Sequence, residues 1–309
     1  MSAALPASLM TRMGAVIRGE IKAHEPLAPL THMRVGGAAE LYVRPNSMES
    51  LIAALRLVRE EGLALTVLGG GANVLVGDLG VPGVTVRLPT DVFPEEVERL
   101  DDGGRVTLGG GAGIARVTTR MAREGWVGAE ALAGIPGTLG GAVTMNAGTK
   151  NGECMTSVER VELATADGSG WVPRSSLRCE YRHTELPPAC VVTRVCFRLR
   201  SGDPAASREA MNADLAYRKK TQPLTQPNFG SVFTNPPQDS AGRLIESVGL
   251  KGRVVGRAQI SPQHANWIVN LGGASAWDVT ELMALMQSRV REATGVELKP
   301  EVKRVGVFR

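Results

Sequence analysis

Two glycine-rich stretches are the first residues in this chain whose spacing could do chemistry. Its 37 glycines gather at 69–71, 109–113 and 134–148. The first loop reads Val67-Leu68-Gly69-Gly70-Gly71-Ala72-Asn73-Val74-Leu75. The second reads Gly134-Ile135-Pro136-Gly137-Thr138-Leu139-Gly140-Gly141-Ala142-Val143 and leads into Met145-Asn146-Ala147-Gly148. Successive backbone N–H groups with no side chain in front of them form concave anion sites that suit a pyrophosphate. Either loop alone could be only a tight turn; two of them, flanked by strands and helices, make the anion-site reading the better one. The common fingerprints nevertheless fail. A GxGxxG started at Gly69 meets Val74, one started at Gly109 meets Ile114, and Gly-Thr-Lys at 148–150 lacks the Walker order. An ordinary Rossmann or P-loop site is disfavoured.

Other chemistries find little support. His24, His32, His183 and His264 form no metal-ligand pattern, and Cys154, Cys179, Cys190 and Cys196 include no CxxC pair. We expect no metal, no disulfide framework and a structural role for His264. No GxSxG occurs, which argues against a serine hydrolase.

These loops need elements to hold them. Apolar periodicity predicts helices over 48–62, 114–124, 241–248 and 276–294, and a polar helix within 201–220. Strands are expected at 64–68, 84–88, 105–108 and 266–270, a long one at 191–199, and further short strands near 296 and 302–307. A hairpin over 158–172 would turn at Asp167-Gly168. A length of 309 residues suggests about two domains, with a boundary near Ser201-Gly202-Asp203-Pro204. Hydrophobic residues at 43% and charged residues at 21% exclude wholesale disorder. Net charge is 35 − 31 = +4, which suits an anionic small molecule better than nucleic acid. No apolar run spans a membrane and the N-terminal residues show no signal-peptide pattern, so a cytoplasmic location is expected.

Motif order across the chain, from about Thr31 to Val307, resembles the UDP-N-acetylenolpyruvoylglucosamine reductase (MurB) family of flavoenzymes. The similarity begins at Thr31-His32-Met33-Arg34-Val35-Gly36-Gly37 and continues through both glycine loops and Tyr181-Arg182. It then runs through Thr221-Gln222-Pro223-Leu224, Gly230-Ser231-Val232-Phe233, Asn235-Pro236 and Ala241-Gly242-Arg243-Leu244-Ile245. It ends with His264-Ala265-Asn266 and Leu298-Lys299-Pro300-Glu301-Val302. The loops alone resemble the broader vanillyl-alcohol-oxidase group; the C-terminal motifs resemble the reductase. Between Arg182 and Ser201 there is no room for the tyrosine-bearing loop of one family branch, and the tyrosines are Tyr42, Tyr181 and Tyr217. The chain is similar to the branch that lacks it.

The resemblance implies a mixed α+β fold: a vanillyl-alcohol-oxidase/PCMH-type FAD-binding fold followed by a MurB-type C-terminal substrate-binding domain. The expected division is 1–88 with the strand 303–309, then 89–215, then the substrate-binding domain 216–302. It implies noncovalent FAD, NADPH as hydride donor, and reduction of UDP-N-acetylglucosamine enolpyruvate to UDP-N-acetylmuramate (UDP-N-acetylmuramate dehydrogenase activity). That reaction belongs to peptidoglycan synthesis, and through it to cell wall biogenesis, cell shape and cell division. Carried over residue by residue, Arg182 would hold the substrate carboxylate, Glu301 would stabilise an enediolate, and Ser231 would protonate carbon. FAD contacts are expected at Gly69, Gly70, Gly71, Ala72, Asn73, Gly134, Gly137, Thr138, Gly140, Gly141, Ala142 and Val143. Substrate contacts are expected at Asn235 and Arg243, with Lys219 or Lys220 on the diphosphate.

Two other readings compete. A sugar or hydroxy-acid oxidase on the same fold often attaches FAD through a histidine or cysteine near a glycine loop, and neither loop has one. A non-catalytic UDP-sugar-binding module need not keep Arg182, Ser231 and Glu301 together. No membrane, nucleic acid or obligate protein partner is implied.

Overall fold

The computed structural model describes residues 7–93, 95–149 and 152–309. Lys150 of the rejected 148–150 tripeptide, and the first six residues of the leader reading, lie outside them. The chain divides into two compact units. One comprises the residues through Ala23, Leu41–Gly70 and Gly83–Ala216; the other comprises His24–Glu40, Gly71–Pro82 and Tyr217–Arg309.

Two sheets organise the first unit. A four-stranded sheet, whose strands lie mostly in this unit, runs Gly19–Pro26, Ala38–Pro45, Val81–Val86, Leu65–Val67 in spatial order. Helix α1 (Ala7–Val16) and helix α2 (Met48–Glu60) pack with it. Ser47 caps α2 by accepting the Ser50 N–H, and the predicted face of Leu51, Ala54, Leu55, Leu57 and Val58 is buried against Leu41, Val43, Val84 and Val86.

An antiparallel sheet follows. It runs Gly168–Pro173, Val158–Thr165, Val191–Ser201, Gly103–Gly109, Glu96–Leu100, with Trp126–Val127 also on Val191–Ser201. Helices α3 (Ile114–Arg123) and α4 (Leu139–Thr144) share its core through Ile114, Val117, Leu139, Ala142 and Val143, packed with Val161, Leu163, Val195 and Phe197. The hairpin turn sits one residue earlier than expected. Thr165 pairs with Gly168, leaving Ala166-Asp167 as the loop, and the Thr165 hydroxyl accepts the Asp167 N–H. A side chain that satisfies its own turn fixed the register.

Helix α5 (Pro204–Thr221) starts three residues later than the polar run, where the Asp203 carboxylate accepts the N–H groups of Ala205 and Ala206. The second unit holds an antiparallel sheet ordered Asn228–Ser231, Trp267–Asn270, Ala258–Ile260, Val254–Val255. Helices α6 (Ala241–Ser247) and α7 (Ala276–Thr294) belong to this unit. They share one core with it, including Phe229, Phe233, Leu244, Ile268, Leu282 and Met286. A capping box of Ser275 and Asp278 starts α7, and Gly295 ends it at φ 75°. Lys303–Val305 pairs in parallel with Val74–Val76, whereas Val296, expected in a strand, is irregular.

Candidate active site

The two glycine loops meet. A Cβ added to Gly70 would lie 2.6 Å from the Gly137 Cα, and one added to Gly69 would lie 2.7 Å from the Thr138 Oγ1. Only glycine permits this approach, so two loops distant in sequence form one structure. Thr138 caps α4 by accepting the Gly141 N–H. Among the described residues, the N–H groups of Gly69, Gly70, Gly137 and Thr138 find no hydrogen-bond acceptor. Unspent amides without side chains in front of them fit the diphosphate of a dinucleotide. The rest of the expected FAD set divides. Gly134 is at φ 71° and Gly71 at φ 66°, and Ala72 is half-buried. Ala142 and Val143 are buried core, and the Ala142 N–H is spent on the Thr138 carbonyl. The Gly140 N–H donates to the Gly110 carbonyl, and a Cβ there would face the Gly110 and Val192 carbonyls at 3.2 and 3.4 Å. Gly140 serves packing of α4 on the sheet. Gly141 is the open one: its Cβ would meet only the Thr138 hydroxyl, at 3.5 Å.

Arg182 sits at the tip of a small hairpin, Cys179–Glu180 paired with His183–Thr184. Its φ of 60° is left-handed, an uncommon and costly conformation for a residue with a side chain. Its guanidinium lies 4.6 Å from the Tyr181 ring centroid, a cation–π stack that orients the fork.

Ser231 and Glu301 lie on backbone segments of the second unit that run side by side. Ser231 ends Asn228–Ser231, opposite Trp267, after Gly230 at φ 81°. The Glu301 N–H donates to the Val232 carbonyl at 2.8 Å, Pro300 bridges Phe233, and the Thr234 N–H donates to the Lys299 carbonyl at 3.0 Å. The Lys-Pro-Glu and Gly-Ser-Val-Phe motifs therefore run side by side. Asn73 joins them: its Nδ2 donates to the Glu301 carbonyl at 3.1 Å and its carbonyl accepts from Lys303. The Asn73 Nδ2 and carbonyl are thus both used within the second unit, leaving its backbone N–H for any cofactor contact. Asn266, quoted in a motif but given no role, clamps the serine strand. Its Oδ1 accepts the Phe233 N–H at 3.0 Å and its Nδ2 donates to the Phe233 carbonyl at 2.8 Å.

The expected substrate contacts are surface groups of the second unit. Asn235 is exposed, and its Oδ1 accepts the Ala241 N–H at the start of α6. Arg243 ion-pairs with Asp239, whose carboxyl it holds below the usual range. Lys219 and Lys220 are exposed in the last turn of α5, their carbonyls accepting from the Gln263 carboxamide. Burial, with the nearby Lys251 charge, lowers the His264 pKa, and its Nδ1 accepts the Asn266 N–H, so the ring is neutral and structural. The four cysteines are free, and burial pushes the Cys154 thiol up to about 12. No cluster of three or more metal-ligating side chains occurs among the described residues.

Fold and cradle define a flavoprotein: residues 39–171 match the family model described as an FAD binding domain. Residues 222–305 match the one described as UDP-N-acetylenolpyruvoylglucosamine reductase, C-terminal domain. The chain is 61% identical over 306 residues to the UDP-N-acetylenolpyruvoylglucosamine reductase of Myxococcus xanthus, covering 99% of each. It is 55% identical to that of an Anaeromyxobacter species over 94% of this chain and 91% of the relative. Among solved structures, the enzyme (MurB) from Thermus caldophilus superposes with a TM-score of 0.77 at 36% identity, over 94% of this chain and 99% of that one. The chain belongs to the UDP-N-acetylenolpyruvoylglucosamine reductase family.

Proposed function

We propose that the chain reduces UDP-N-acetylglucosamine enolpyruvate to UDP-N-acetylmuramate, with noncovalent FAD as redox cofactor and NADPH as hydride donor. The observation that supports this reading is that one chain carries both a glycine cradle of unspent amides and, within the second unit, a serine and a glutamate on segments that run side by side. When bound, the flavin supplies hydride transfer from NADPH to the outer vinyl carbon of the substrate. The protein's own residues then manage charge and protons. Arriving hydride leaves negative charge on the ether-bearing carbon, delocalised into its carboxylate. Arg182 binds that carboxylate with its planar fork. Glu301, protonated in this step, donates toward the enediolate and stabilises it. Ser231 gives its hydroxyl proton to the ether-bearing carbon, so that the double bond gains one hydride and one proton. A serine is a weak acid, and it suits this step because the carbon it protonates is strongly basic.

By role we divide the chain into 1–88 with 303–309 and 89–215 for the cofactor, and 216–302 for the substrate. Asn235, Arg243 and one of Lys219 and Lys220 face the UDP moiety; Arg243 must then exchange its Asp239 partner for a phosphate oxygen. The setting is cytoplasmic synthesis of a peptidoglycan precursor. No helix among the described residues is long and apolar enough to cross a membrane.

Anaerobic titration tests the reading. NADPH should bleach the flavin absorbance of the purified protein, and the enolpyruvyl UDP-sugar should restore it, giving a product two hydrogens heavier. Acid precipitation should leave all the flavin in the supernatant as FAD. Flavin restored only by oxygen, or retained in the pellet, would sink the assignment.

A further inference from the structure

Asn146 lies outside every role assigned above, yet it is among the most constrained polar residues of the first unit. It is 1% exposed and left-handed, at φ 41°, directly after α4. Its carboxamide makes three hydrogen bonds, using both N–H donors and the oxygen. Nδ2 donates to the Glu153 Oε2 at 2.6 Å and to the Glu180 carbonyl at 3.1 Å, while Oδ1 accepts the Met155 N–H at 3.2 Å. Asparagine answers both demands. It tolerates left-handed backbone better than most residues, and it offers donors and an acceptor on one short side chain. An aspartate would set a carboxylate against that of Glu153.

Glu180 is the first-strand residue of the hairpin that carries Arg182. The second strand is anchored too: the Thr184 hydroxyl, on a residue 2% exposed, donates to the Val143 carbonyl at 2.5 Å. Both anchors come from the C-terminal end of α4, and the loop at its N-terminal end packs Gly137 and Thr138 on Gly69 and Gly70. One short helix therefore connects the glycine cradle to the Arg182 hairpin, and each strand of that hairpin is tied to it once. Two-residue strands with an exposed Tyr181 at the tip have little packing of their own to fix a guanidinium.

We infer that Asn146 is a positioning residue for substrate recognition: with Thr184 it holds the 179–184 hairpin so that Arg182 meets the carboxylate of the enolpyruvyl group. The inference rests on the reading of Arg182 as the carboxylate partner. It predicts a defect confined to ligands that carry that carboxylate, which a general loss of structure would not give.

The test is titration calorimetry of the purified flavoprotein with two ligands, the enolpyruvyl UDP-sugar and UDP-N-acetylglucosamine, which lacks the carboxylate. Asn146→Ala and Arg182→Ala should each weaken the first by about tenfold or more and leave the second within about twofold, and the double variant should bind no worse than Arg182→Ala. Thr184→Val, nearly the same shape, should show the same selective loss and covers the case in which Asn146→Ala does not fold. If Arg182→Ala binds both ligands normally, the reading of Arg182 fails. If Arg182→Ala is selective but Asn146→Ala and Thr184→Val bind normally, weaken both ligands equally, or add to Arg182→Ala, the inference is overturned.

Discussion

Gly140 and Gly141 are neighbours in one short helix, yet they lack side chains for different reasons. At Gly140 a Cβ would press on two backbone carbonyls of the first unit, whereas at Gly141 it would project beside the Thr138 hydroxyl. Gly140→Val should therefore act on packing and lower the melting temperature, because carbonyls on a sheet cannot yield as a flexible side chain can. Gly141→Val should fold with a near-normal melting temperature and purify with little flavin. Absorbance ratios and thermal melts of the two variants check this; flavin loss from Gly140→Val alone, with its melting temperature unchanged, would reverse the assignment. Motif spacing alone could nominate both glycines but not divide them, since spacing does not say which way a Cβ points. Asn73 and Asn146 show the same limit. Each sits in a motif, but what its carboxamide meets is decided by residues outside that motif: Glu301 for one, Glu153 and Glu180 for the other.

Long amphipathic helices were legible because burial of one face imposes a period. The structure has α7 over the predicted residues, and α2 and α3 end within two residues of expectation. Helix α4 was hidden, since Leu139-Gly140-Gly141-Ala142 is poor in helix formers and forms only because Thr138 caps it and Leu139 and Val143 are buried. Within the antiparallel sheet, one cross-strand pair tests how the elements are held. Glu162 and Arg194 face each other in register, and the Glu162 carboxylate, 6% exposed, receives Arg194 Nε and Nη2 at 2.9 Å and the Thr193 hydroxyl at 2.8 Å. Burial pushes this carboxyl up, but the Arg194 fork, the Thr193 hydroxyl and the Arg194 charge together hold it below its ordinary value. Arg194→Ala would strand the buried carboxylate and should cost about 3 kcal/mol, the low end for such pairs because the arginine is partly exposed. The sign with pH follows from the lowered value. Stability from Glu162 is full above the ordinary glutamate range and is lost as pH falls through the depressed one. The melting gap between the unaltered protein and Glu162→Gln should accordingly shrink on acidification; a gap that widens there would contradict the pairing.

At the scale of the molecule, the alternation of helices and strands gave the class, and the motif series gave the family. What stayed illegible is that each unit is assembled from three separate stretches; the grouping of the C-terminal strand with residues 1–88 came from the resemblance and not from local pattern, and Lys303–Val305 pairs with Val74–Val76. Such pairings depend on long-range contacts for which local pattern carries no signal. The placement of Ser231 beside the Glu301 segment is of this kind, and the account turns on it. Proton transfer to carbon belongs only to the half-reaction that consumes the enolpyruvyl substrate. Stopped-flow absorbance of Ser231→Ala, followed separately for reduction by NADPH and for reoxidation by the enolpyruvyl UDP-sugar, is the most direct measurement. The account predicts near-normal flavin content and reduction, with reoxidation slowed by about 10²–10⁴-fold. Reoxidation at the normal rate, or equal slowing of both halves, would contradict it.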